Sequence, residues 1–425
     1  MTYNETIDYL YNAAPAFTKV GASAYKEGLS NTLALDEHAG HPHRSFLTIH
    51  VAGTNGKGSC SHTLAAILQS AETTIRGEKR KLRVGLFTSP HMVTFRERIR
   101  VNGEMVSEQW VVEWVERNRN FFEPLCPSFF ELCTAMAFEY FREQNVDIAV
   151  IEVGLGGRLD ATNICVPELC VITKIGLDHC DWLGDTVEKI AAEKAGIIKP
   201  GVPVVLAKNE PSVRAVVEAR AKEVGAPFRY APDLATEDEI PADFPLAGSF
   251  NRENAVTALA ALKTLGAGDP RRLADVVWPG RFQRVGNFIV DGAHNPPACE
   301  ALVRALGDAR DLDLIAGFCG DKDADAVLRM LAPRVKKGFA VRTNNPRSLS
   351  ADVTAAKMRA AGIDAVSCPS LRAAIESASD PDTPTPQHPN TLICGSLFLA
   401  GEALVELGAY PWPAERFDPS ELLKV

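Results

Sequence analysis

Residues 46–71 read FLTIHVAGTNGKGSCSHTLAAILQSA. The segment opens with a run of apolar and β-branched residues, 46–53, which predicts a buried strand. It continues through a glycine-rich turn into a helical pattern over residues 61–71. Short apolar runs alternate with helical patterns in the same way along most of the chain. This alternation predicts an α/β fold with a largely parallel sheet.

Two series of such elements follow one another. The first has predicted strands at residues 46–53, 83–89, 147–154, 169–176 and 203–207, and predicted helices at residues 61–71, 129–144, 186–198 and 252–266. The second begins beyond residues 278–282, and its predicted strands cover residues 287–292, 312–318, 338–343, 365–367 and 391–396. A proline-rich stretch, residues 378–390, is expected to connect two elements of the second series. We place a domain boundary between residues 282 and 283.

Composition limits the class of protein. The chain has 425 residues, 46% hydrophobic and 23% charged, which suits a globular protein of two or three domains. Its net charge of −9 argues against a protein that binds nucleic acid or anionic membranes. No apolar run approaches the roughly 18 residues of a membrane helix, and residues 1–17 lack the features of a secretory signal, so we expect a cytoplasmic protein. The ten cysteines are scattered, which predicts free thiols rather than disulfides or zinc ligands.

The loop at residues 53–59, GTNGKGS, lies between a predicted strand and a predicted helix. Backbone N–H groups in such a loop bind phosphate oxygens, and glycine lets the backbone approach the anion closely. Lys57 is expected to reach the outer phosphates, and Ser59 to offer its hydroxyl to Mg²⁺. A glycine-rich turn that binds nothing is the minority interpretation. Val51 and Gly58 depart from the general GxxxxGK[ST] pattern, so a generic ATPase or GTPase fits poorly.

The GTNGKGS variant is similar to the phosphate loop of the Mur ligase superfamily. Within it, the chain closely resembles the folylpolyglutamate synthase/dihydrofolate synthase family. Further matching segments occur in the family's order: TSPH at 88–91, EVGLGGRLDATN at 152–163, LDH at 177–179, EKAGI at 193–197, PGRFQ at 279–283, DGAHNP at 291–296, DKD at 321–323 and CGS at 394–396. The resemblance implies an N-terminal P-loop-type domain, residues 1–282, whose mainly parallel sheet is flanked by helices and which holds the ATP and folate sites. A smaller C-terminal Rossmann-like α/β domain is expected over residues 283–425.

The resemblance also implies two Mg²⁺ sites, with K⁺ left open as a further cofactor. The implied metal ligands are Ser59, Ser89, Glu152, His179 and Lys194, and the implied catalytic residues are Lys57, Glu152, His179 and Lys194. Glu152 ends a predicted strand and His179 follows another, so both belong at the sheet edge where ligands bind in open α/β folds. Taken alone, Glu152 would be an ion-pair partner, His179 a structural histidine and Lys194 a solvated lysine. In the family the residue matching Lys194 is N-carboxylated, which would turn a cation into a metal ligand.

Contacts to ATP and to a pterin-bearing substrate follow from the same resemblance. The implied ATP-binding residues are Thr54, Asn55, Gly56, Lys57, Gly58, Ser59, Asn254, Arg281, Asp291 and His294. The implied substrate-binding residues are Phe129, Phe130, Glu131, Leu159, Asp160 and Ala161. Aromatic faces can stack on a flat heterocycle, and a carboxylate can accept its ring N–H donors. Phe129 and Phe130 are equally compatible with plain core packing, and DGAHNP with a capped turn before a helix. Residues 17–21 are expected to cover the same pocket.

The implied activity is an ATP-dependent amide ligation. The carboxylate of dihydropteroate or a reduced folate would attack the γ-phosphate, and L-glutamate would then displace phosphate from the acyl phosphate. The LDATN and PGRFQ motifs favour an enzyme with both activities, working as a monomer without nucleic-acid or membrane partners. One alternative is a cell-wall ligase that acts on a UDP-linked muropeptide, but residues 1–52 are too few for its additional UDP-binding domain. The other is a nucleotide-binding regulator, which would not need the metal set of Glu152, His179 and Lys194.

Overall fold

The structure is a computed structural model that describes residues 1–14, 28–75, 78–267, 270–378 and 390–412. It divides into two compact units. Unit 1 comprises Met1–His91, Phe95–Pro245 and Asn251–Val277, and unit 2 comprises Met92–Thr94, Leu246–Phe250 and Trp278–Val425. Residues 17–21 and most of the proline-rich stretch 378–390 lie outside the described residues, and so do the expectations placed on them.

The first ten strands and ten helices precede residue 266. The strands are β1 Leu47–Ala52, β2 Glu72–Ile75, β3 Glu78–Lys81, β4 Val84–Phe87, β5 Ile99–Val101, β6 Glu104–Met105, β7 Ile148–Glu152, β8 Leu169–Ile172, β9 Val204–Leu206 and β10 Phe228–Tyr230. The helices are α1 Tyr3–Ala13, α2 Ser30–His38, α3 Lys57–Leu68, α4 Glu108–Phe122, α5 Phe129–Glu143, α6 Cys180–Leu183, α7 Val187–Ala195, α8 Pro211–Glu223, α9 Ala231–Leu234 and α10 Ser249–Leu265. Short 3-10 turns cover Pro42–Arg44, Phe95–Arg98, Glu123–Leu125, Ala161–Ile164, Glu237–Glu239 and Pro270–Asp275.

An eight-stranded sheet organises unit 1, in the order β10-β9-β8-β1-β7-β4-β5-β6. The strands from β10 to β4 run parallel, whereas β5 and β6 are antiparallel additions at one edge. The central strand β1 pairs Val51 with Glu152 of β7 and with Val171 of β8. The carboxyl ends of these strands therefore meet at one edge, where the phosphate loop leaves β1. The mainly parallel sheet confirms the predicted fold class.

Helices cover this sheet because its parallel strands are largely apolar, as expected for a parallel sheet buried on both faces. One hydrophobic cluster joins β4 and β7 to helices α4 and α5 through large side chains such as Trp114, Phe138 and Phe141. Another joins β8 and β9 to α7 and α8 through Ile190 and Val217, among others. Helix α7 is thereby fixed against β8, which pairs with β1, and against the next strand, β9.

Unit 2 contains a six-stranded sheet with the order β11-β12-β16-β13-β14-β15, parallel except for β11. Its strands are β11 Gln283–Val285, β12 Phe288–Val290, β13 Leu312–Ala316, β14 Val335–Ala340, β15 Ala365–Ser367 and β16 Thr391–Cys394. Its helices are α11 Pro296–Leu306, α12 Ala324–Leu331, α13 Ala351–Ala360, α14 Leu371–Ala378 and α15 Leu397–Glu406, with a 3-10 turn at Ala332–Arg334.

Two further expectations bear on the described residues. All ten cysteines are free thiols, and all but Cys126 and Cys180 are buried. Within the described ranges, no helix is both long enough and apolar enough to span a membrane.

Candidate active site

The phosphate loop is shaped by two glycines that no other residue could replace without a clash. At Gly53, an added Cβ would lie 1.8 Å from the Oγ1 of Thr173. At Gly56, which has φ +89°, it would lie 2.2 Å from the Oδ1 of Asn254. Glycine also tolerates the left-handed backbone that this turn requires. The structure therefore brings Asn254 of α10 against the loop, as the sequence predicted for a nucleotide contact.

The loop is tied to the chain that follows β8. The backbone N–H groups of Thr54 and Asn55 donate to the carbonyl oxygen of Lys174 over 2.9 and 3.1 Å. The Thr54 hydroxyl donates to the carbonyl oxygen of Gly176 over 3.0 Å. These two N–H groups are thus already used within the protein. Because the first-turn N–H groups of a helix lack partners within the helix, the start of α3 at Lys57 is the better place for phosphate oxygens.

Two lysines converge on one carbonyl oxygen of the loop. Lys57 Nζ donates to Gly53 O over 3.0 Å and to Thr54 O over 3.2 Å. Lys194 Nζ, on α7, donates to the same Gly53 O over 2.9 Å, and only 4% of Lys194 is exposed. Burial, and secondly the charge of Lys57, lower the pKa of Lys194 to about 7. Burial and the neighbouring Lys57 thus disfavour the charged form of Lys194, while the ammonium of Lys57 lies where an anionic ligand is expected.

Glu152 and Ser89 meet at the same sheet edge. Glu152 is the last residue of β7 and is 4% exposed, and its Oε2 accepts a hydrogen bond from Ser89 N over 3.0 Å. Burial, and secondly the charge of Glu152, raise the pKa of the Cys60 thiol to about 12. Cys60 follows Ser59 in α3, so the carboxylate faces the beginning of the helix that carries the loop lysine.

His179 lies in the segment between β8 and α6. It occupies the N-cap position of α6 with a φ of +53°, and its Nε2 lies 3.8 Å from the Oδ1 of Asp178. Within the described residues, no group of three or more His, Cys, Asp or Glu side chains is arranged to hold a metal ion. Mg²⁺ commonly binds through one or two carboxylates together with substrate phosphates. A carboxylate beside serine groups at a phosphate loop fits that mode rather than an all-protein cage.

Asp160 shapes the glycine-rich segment that follows β7. Its Oδ2 accepts hydrogen bonds from Gly154 N and Leu155 N over 3.0 and 2.9 Å, and its Oδ1 accepts from Thr162 N and Thr162 Oγ1. Burial raises the pKa of the Asp160 carboxyl, and these hydrogen bonds oppose the change. The side chain thus organises the backbone beside Leu159 and Ala161, which the sequence placed in the substrate site.

The same segment packs directly against α7. A Cβ on Gly157 would lie 2.8 Å from the carbonyl oxygen of Glu193, and Arg158 N donates to that carbonyl over 2.9 Å. The Nδ2 of Asn163 donates to the carbonyl oxygens of Arg158 and Gly196 over 2.9 and 3.2 Å. These contacts fix the position of the helix turn that carries Lys194.

The three substrate residues predicted at the start of α5 differ in their surroundings. Phe129 is 4% exposed and stacks on Tyr11, with ring centroids 4.7 Å apart. Phe130 is only partly buried, and a Cβ on Gly154 would lie 2.6 Å from its Cζ. Glu131 accepts a hydrogen bond from Ser128 N over 2.6 Å and so completes a capping box. Phe130 is the member of the three that borders the glycine-rich segment.

In unit 2, the predicted nucleotide residues Asp291 and His294 lie on the turn after β12, and Arg281 packs against that turn. Asp291 is 4% exposed and accepts from Phe282 N over 2.7 Å and from Ala293 N over 2.8 Å. Burial raises the pKa of its carboxyl. The guanidinium of Arg281 packs against Gly292, and His294 Nδ1 lies 2.9 Å from the carbonyl oxygen of that glycine. The turn is capped as well, because the Asn295 side chain accepts from Ala298 N at the start of α11.

Comparison with known proteins places these motifs in a family. Residues 130–225 match the Mur ligase middle domain, and residues 280–387 match the Mur ligase, glutamate ligase domain. The dihydrofolate synthase/folylpolyglutamate synthase of Mycobacterium tuberculosis is 32% identical in an alignment 462 positions long, which covers 90% of this chain and 90% of that protein. The chain belongs to the folylpolyglutamate synthase/dihydrofolate synthase family. It is therefore an ATP-dependent ligase of the Mur ligase superfamily.

Solved structures of family members agree with this assignment. Folylpolyglutamate synthase of Mycobacterium tuberculosis, complexed with ADP and AMPPCP, superposes with a TM-score of 0.81 at 30% identity, over 96% of this chain and 99% of that chain. The bifunctional folylpolyglutamate synthase/dihydrofolate synthase of Yersinia pestis, complexed with AMPPNP and a Mn ion, gives 0.79 at 28% identity, over 96% and 98%. Nucleotide and divalent-metal use thus suit the family.

Sequence reasoning missed one polar group beneath this family's glycine-rich segment. His50 lies in β1, fully buried, with its Nε2 2.8 Å from the Oγ1 of Thr162. Burial lowers the pKa of His50 to about 3. Because the Thr162 hydroxyl donates to the Asp160 carboxylate, it accepts at His50, so Nε2 carries the ring proton. The sequence feature that could have indicated this buried polar contact is a histidine inside the apolar run FLTIHVAG.

This chain of hydrogen bonds predicts energetic coupling between His50 and Thr162. Replacing His50 with Phe or Thr162 with Val should each lower the free energy of unfolding by about 1–3 kcal/mol, because a buried partner is left unpaired. The double variant should lose less than the sum of the two. Urea unfolding measures all four proteins. Thr257→Val is the control partner for His50→Phe, because the Thr257 hydroxyl donates within α10, to Glu253 O over 3.0 Å. Additivity for His50 with Thr162 would contradict the coupling.

Proposed function

We propose that the enzyme joins L-glutamate to dihydropteroate and also to reduced folates, and so combines both activities of its family. The observation that carries the proposal is the edge of the unit 1 sheet. There the phosphate loop, with Lys57 and Lys194 on one carbonyl oxygen, lies in the same unit as the Glu152–Ser89 pair and Phe130. The lysine side chains and backbone N–H groups of the loop suit the phosphates of a nucleotide. The aromatic ring of Phe130 beside the glycine-rich turn suits a flat heterocyclic acid.

The reaction proposed has two steps. An oxygen of the substrate carboxylate attacks the γ-phosphorus of ATP, which yields an acyl phosphate and ADP. The neutral amine of L-glutamate then attacks the acyl carbon, and phosphate leaves with that oxygen. A carboxylate is a poor acyl donor at neutral pH, so the phosphate supplies the leaving group. The first-turn N–H groups of α3 and the Lys57 ammonium hold and neutralise the transferred phosphoryl group.

We propose that Ser59, Ser89 and Glu152 hold one Mg²⁺ and that His179 and Lys194 contribute to a second. When bound, Mg²⁺ would offset the negative charge of the phosphates. The hydrogen bond from Ser89 N to Glu152 supports the first set, because it brings these two residues together. The second set rests on family resemblance. Activity titrated with Mg²⁺, with and without K⁺, tests how many cations the enzyme needs.

Lys194 is proposed to carry a carbamate. Its pKa of about 7 leaves a substantial neutral fraction near neutral pH, and only a neutral amine reacts with CO₂. A carbamate would also give Lys57 an anionic neighbour in place of a competing ammonium. Because the folded pKa lies below that of a free lysine, the neutral fraction rises as the pH rises through about 7.

Carbon-13 NMR in ¹³C-bicarbonate tests this directly. The wild-type enzyme should show a carbamate resonance that grows between about pH 6 and about pH 8. Lys194→Met should lack the resonance and lose most activity. Lys189→Met is the matched control on the same helix, because Lys189 is exposed and pairs with Asp185 over 2.7 Å. A spectrum without the resonance at every pH, or with it retained in Lys194→Met, would contradict the carbamate.

For unit 2, we propose nucleotide contacts by Arg281, Asp291 and His294, which Arg281→Ala tests through the KM for ATP.

We also propose a monomeric, cytoplasmic enzyme. Ten free thiols favour a reducing compartment, and sedimentation and cell fractionation test the two statements.

The activity is tested with purified protein, ATP, Mg²⁺, L-glutamate and either dihydropteroate or tetrahydrofolate. Mass spectrometry should find the mono- or polyglutamyl product with both acceptors. Product from a UDP-muropeptide instead would favour a cell-wall ligase, and ATP binding without product from any acceptor would favour a regulator.

A further inference from the structure

Arg98 is a buried cation that the proposed chemistry does not yet use. It ends the 3-10 turn Phe95–Arg98 of unit 1, and only 3% of it is exposed. Its Nε donates to His91 Nδ1 over 2.8 Å, and its guanidinium carbon lies 5.3 Å from the centroid of the Phe129 ring. Across the described part of the chain, no carboxylate forms an ion pair with Arg98, and its two terminal nitrogens donate no hydrogen bond.

The surrounding side chains hold the guanidinium in one orientation. Because His91 Nδ1 accepts from Arg98, the ring proton of His91 lies on Nε2, which is 3.2 Å from the hydroxyl of Tyr11. Tyr11 in turn stacks on Phe129 with an interplanar angle of 9°. Arg98, His91, Tyr11 and Phe129 therefore form a closed ring of contacts. These contacts hold the two terminal nitrogens, which donate no hydrogen bond to the described residues, in a fixed position.

A buried cation without an anionic partner costs free energy, because the water lost on burial is not replaced by a counter-charge. Cation–π contact with Phe129 offsets part of that cost. A planar guanidinium with two parallel N–H donors matches a carboxylate in geometry and charge. A carboxylate is therefore the anion that this guanidinium suits best.

The backbone places Arg98 beside the reaction edge. Its carbonyl oxygen accepts from Thr88 N over 3.1 Å, and the next residue, Ser89, donates to Glu152 over 3.0 Å. We infer that Arg98 is a substrate-binding residue whose terminal nitrogens pair with the carboxylate of the folate-type substrate. The inference rests on the proposed function, since it takes that substrate as the anion. Arg98 would orient the carboxylate that ATP activates.

Equilibrium binding of dihydropteroate and of its uncharged carboxamide tests the inference. The wild-type enzyme should bind the acid more tightly than the amide. Arg98→Met should weaken binding of the acid at least about 30-fold, because a buried charge pair loses one partner, and should change binding of the amide little. Arg98→Lys, which keeps the charge but not the fork, should fall between. Arg96→Met is the matched control in the same turn, because Arg96 pairs with Glu108 over 3.4 Å.

Two results would overturn the inference. Equal affinity of the wild-type enzyme for acid and amide would show that no cation reads the carboxylate, and that measurement needs no variant that might misfold. Equal losses for both ligands in an Arg98→Met protein that still binds ADP would assign Arg98 to packing or to the pterin ring. A wild-type enzyme that binds ADP but neither pteroyl ligand would contradict the proposed function itself, and this inference with it.

Discussion

A Lys57→Met variant should lose ligase turnover by about 100- to 1000-fold, the effect of removing one preorganised donor from a transition state. Lys57 is the lysine of the phosphate loop, and its Nζ lies 3.0 Å from Gly53 O. Methionine retains much of the side-chain bulk, so the fold should persist. The measurement is kcat at saturating substrates, with thermal unfolding as the check on folding.

Lys174→Met is the matched control for this prediction. The backbone carbonyl of Lys174 anchors the loop, but its ammonium lies outward, 3.7 Å from Glu210. Removing that ammonium should leave turnover within about twofold, because an exposed ion pair contributes little. Near wild-type turnover in Lys57→Met would show that the transferred phosphoryl group does not lie at this loop.

A Glu152→Gln variant should lose at least about 100-fold in turnover even at saturating ATP, because the amide lacks the charge that would balance a divalent cation. The amide oxygen can still accept from Ser89 N, so the 3.0 Å hydrogen bond and the local backbone should survive. Rates measured over a Mg²⁺ titration separate loss of cation affinity from loss of the chemical step.

Glu193→Gln is the control for Glu152→Gln, because it removes a different carboxylate of unit 1 by the same substitution. Glu193 lies on α7 and pairs with Arg158 over 3.0 Å, partly exposed. It should retain most activity and an unchanged Mg²⁺ dependence. The same unchanged dependence in Glu152→Gln would remove Glu152 from the set of proposed cation ligands.

The apolar runs and the glycine-rich loop predicted the two mainly parallel sheets, because buried parallel strands have an unmistakable composition. The helix after the loop begins at Lys57 rather than at residue 61, since Gly56 ends the turn in a left-handed conformation. The strands β2, β3, β5, β6, β10 and β11 were not predicted. They contain two to four residues each, in a small two-stranded sheet or towards the edges of the larger ones, too few to show a hydrophobic alternation.

The site shows a similar division. Asn254 lies against the loop, and Glu152 accepts a hydrogen bond from Ser89 N, so residues grouped by the motifs are close together in the structure. Their roles in binding ATP and Mg²⁺ stay predictions. The partners of individual polar atoms were not predictable. Asp160 accepts hydrogen bonds from backbone N–H groups, and Arg98 is buried with no carboxylate of the described residues in an ion pair with it, although neither pattern can be read from the motifs. The roles proposed for His179 and for the second cation stay predictions.

Transfer of oxygen from the substrate carboxylate to phosphate tests the central claim most directly. Dihydropteroate labelled with ¹⁸O in both carboxylate oxygens is incubated with the enzyme, ATP, Mg²⁺ and L-glutamate, and the released phosphate and the pteroyl product are analysed by mass spectrometry. If the carboxylate attacks the γ-phosphate, each phosphate released should contain one ¹⁸O, and the new amide should retain one ¹⁸O. Phosphate without ¹⁸O, at a rate matching ATP consumption, would contradict activation of the carboxylate by ATP.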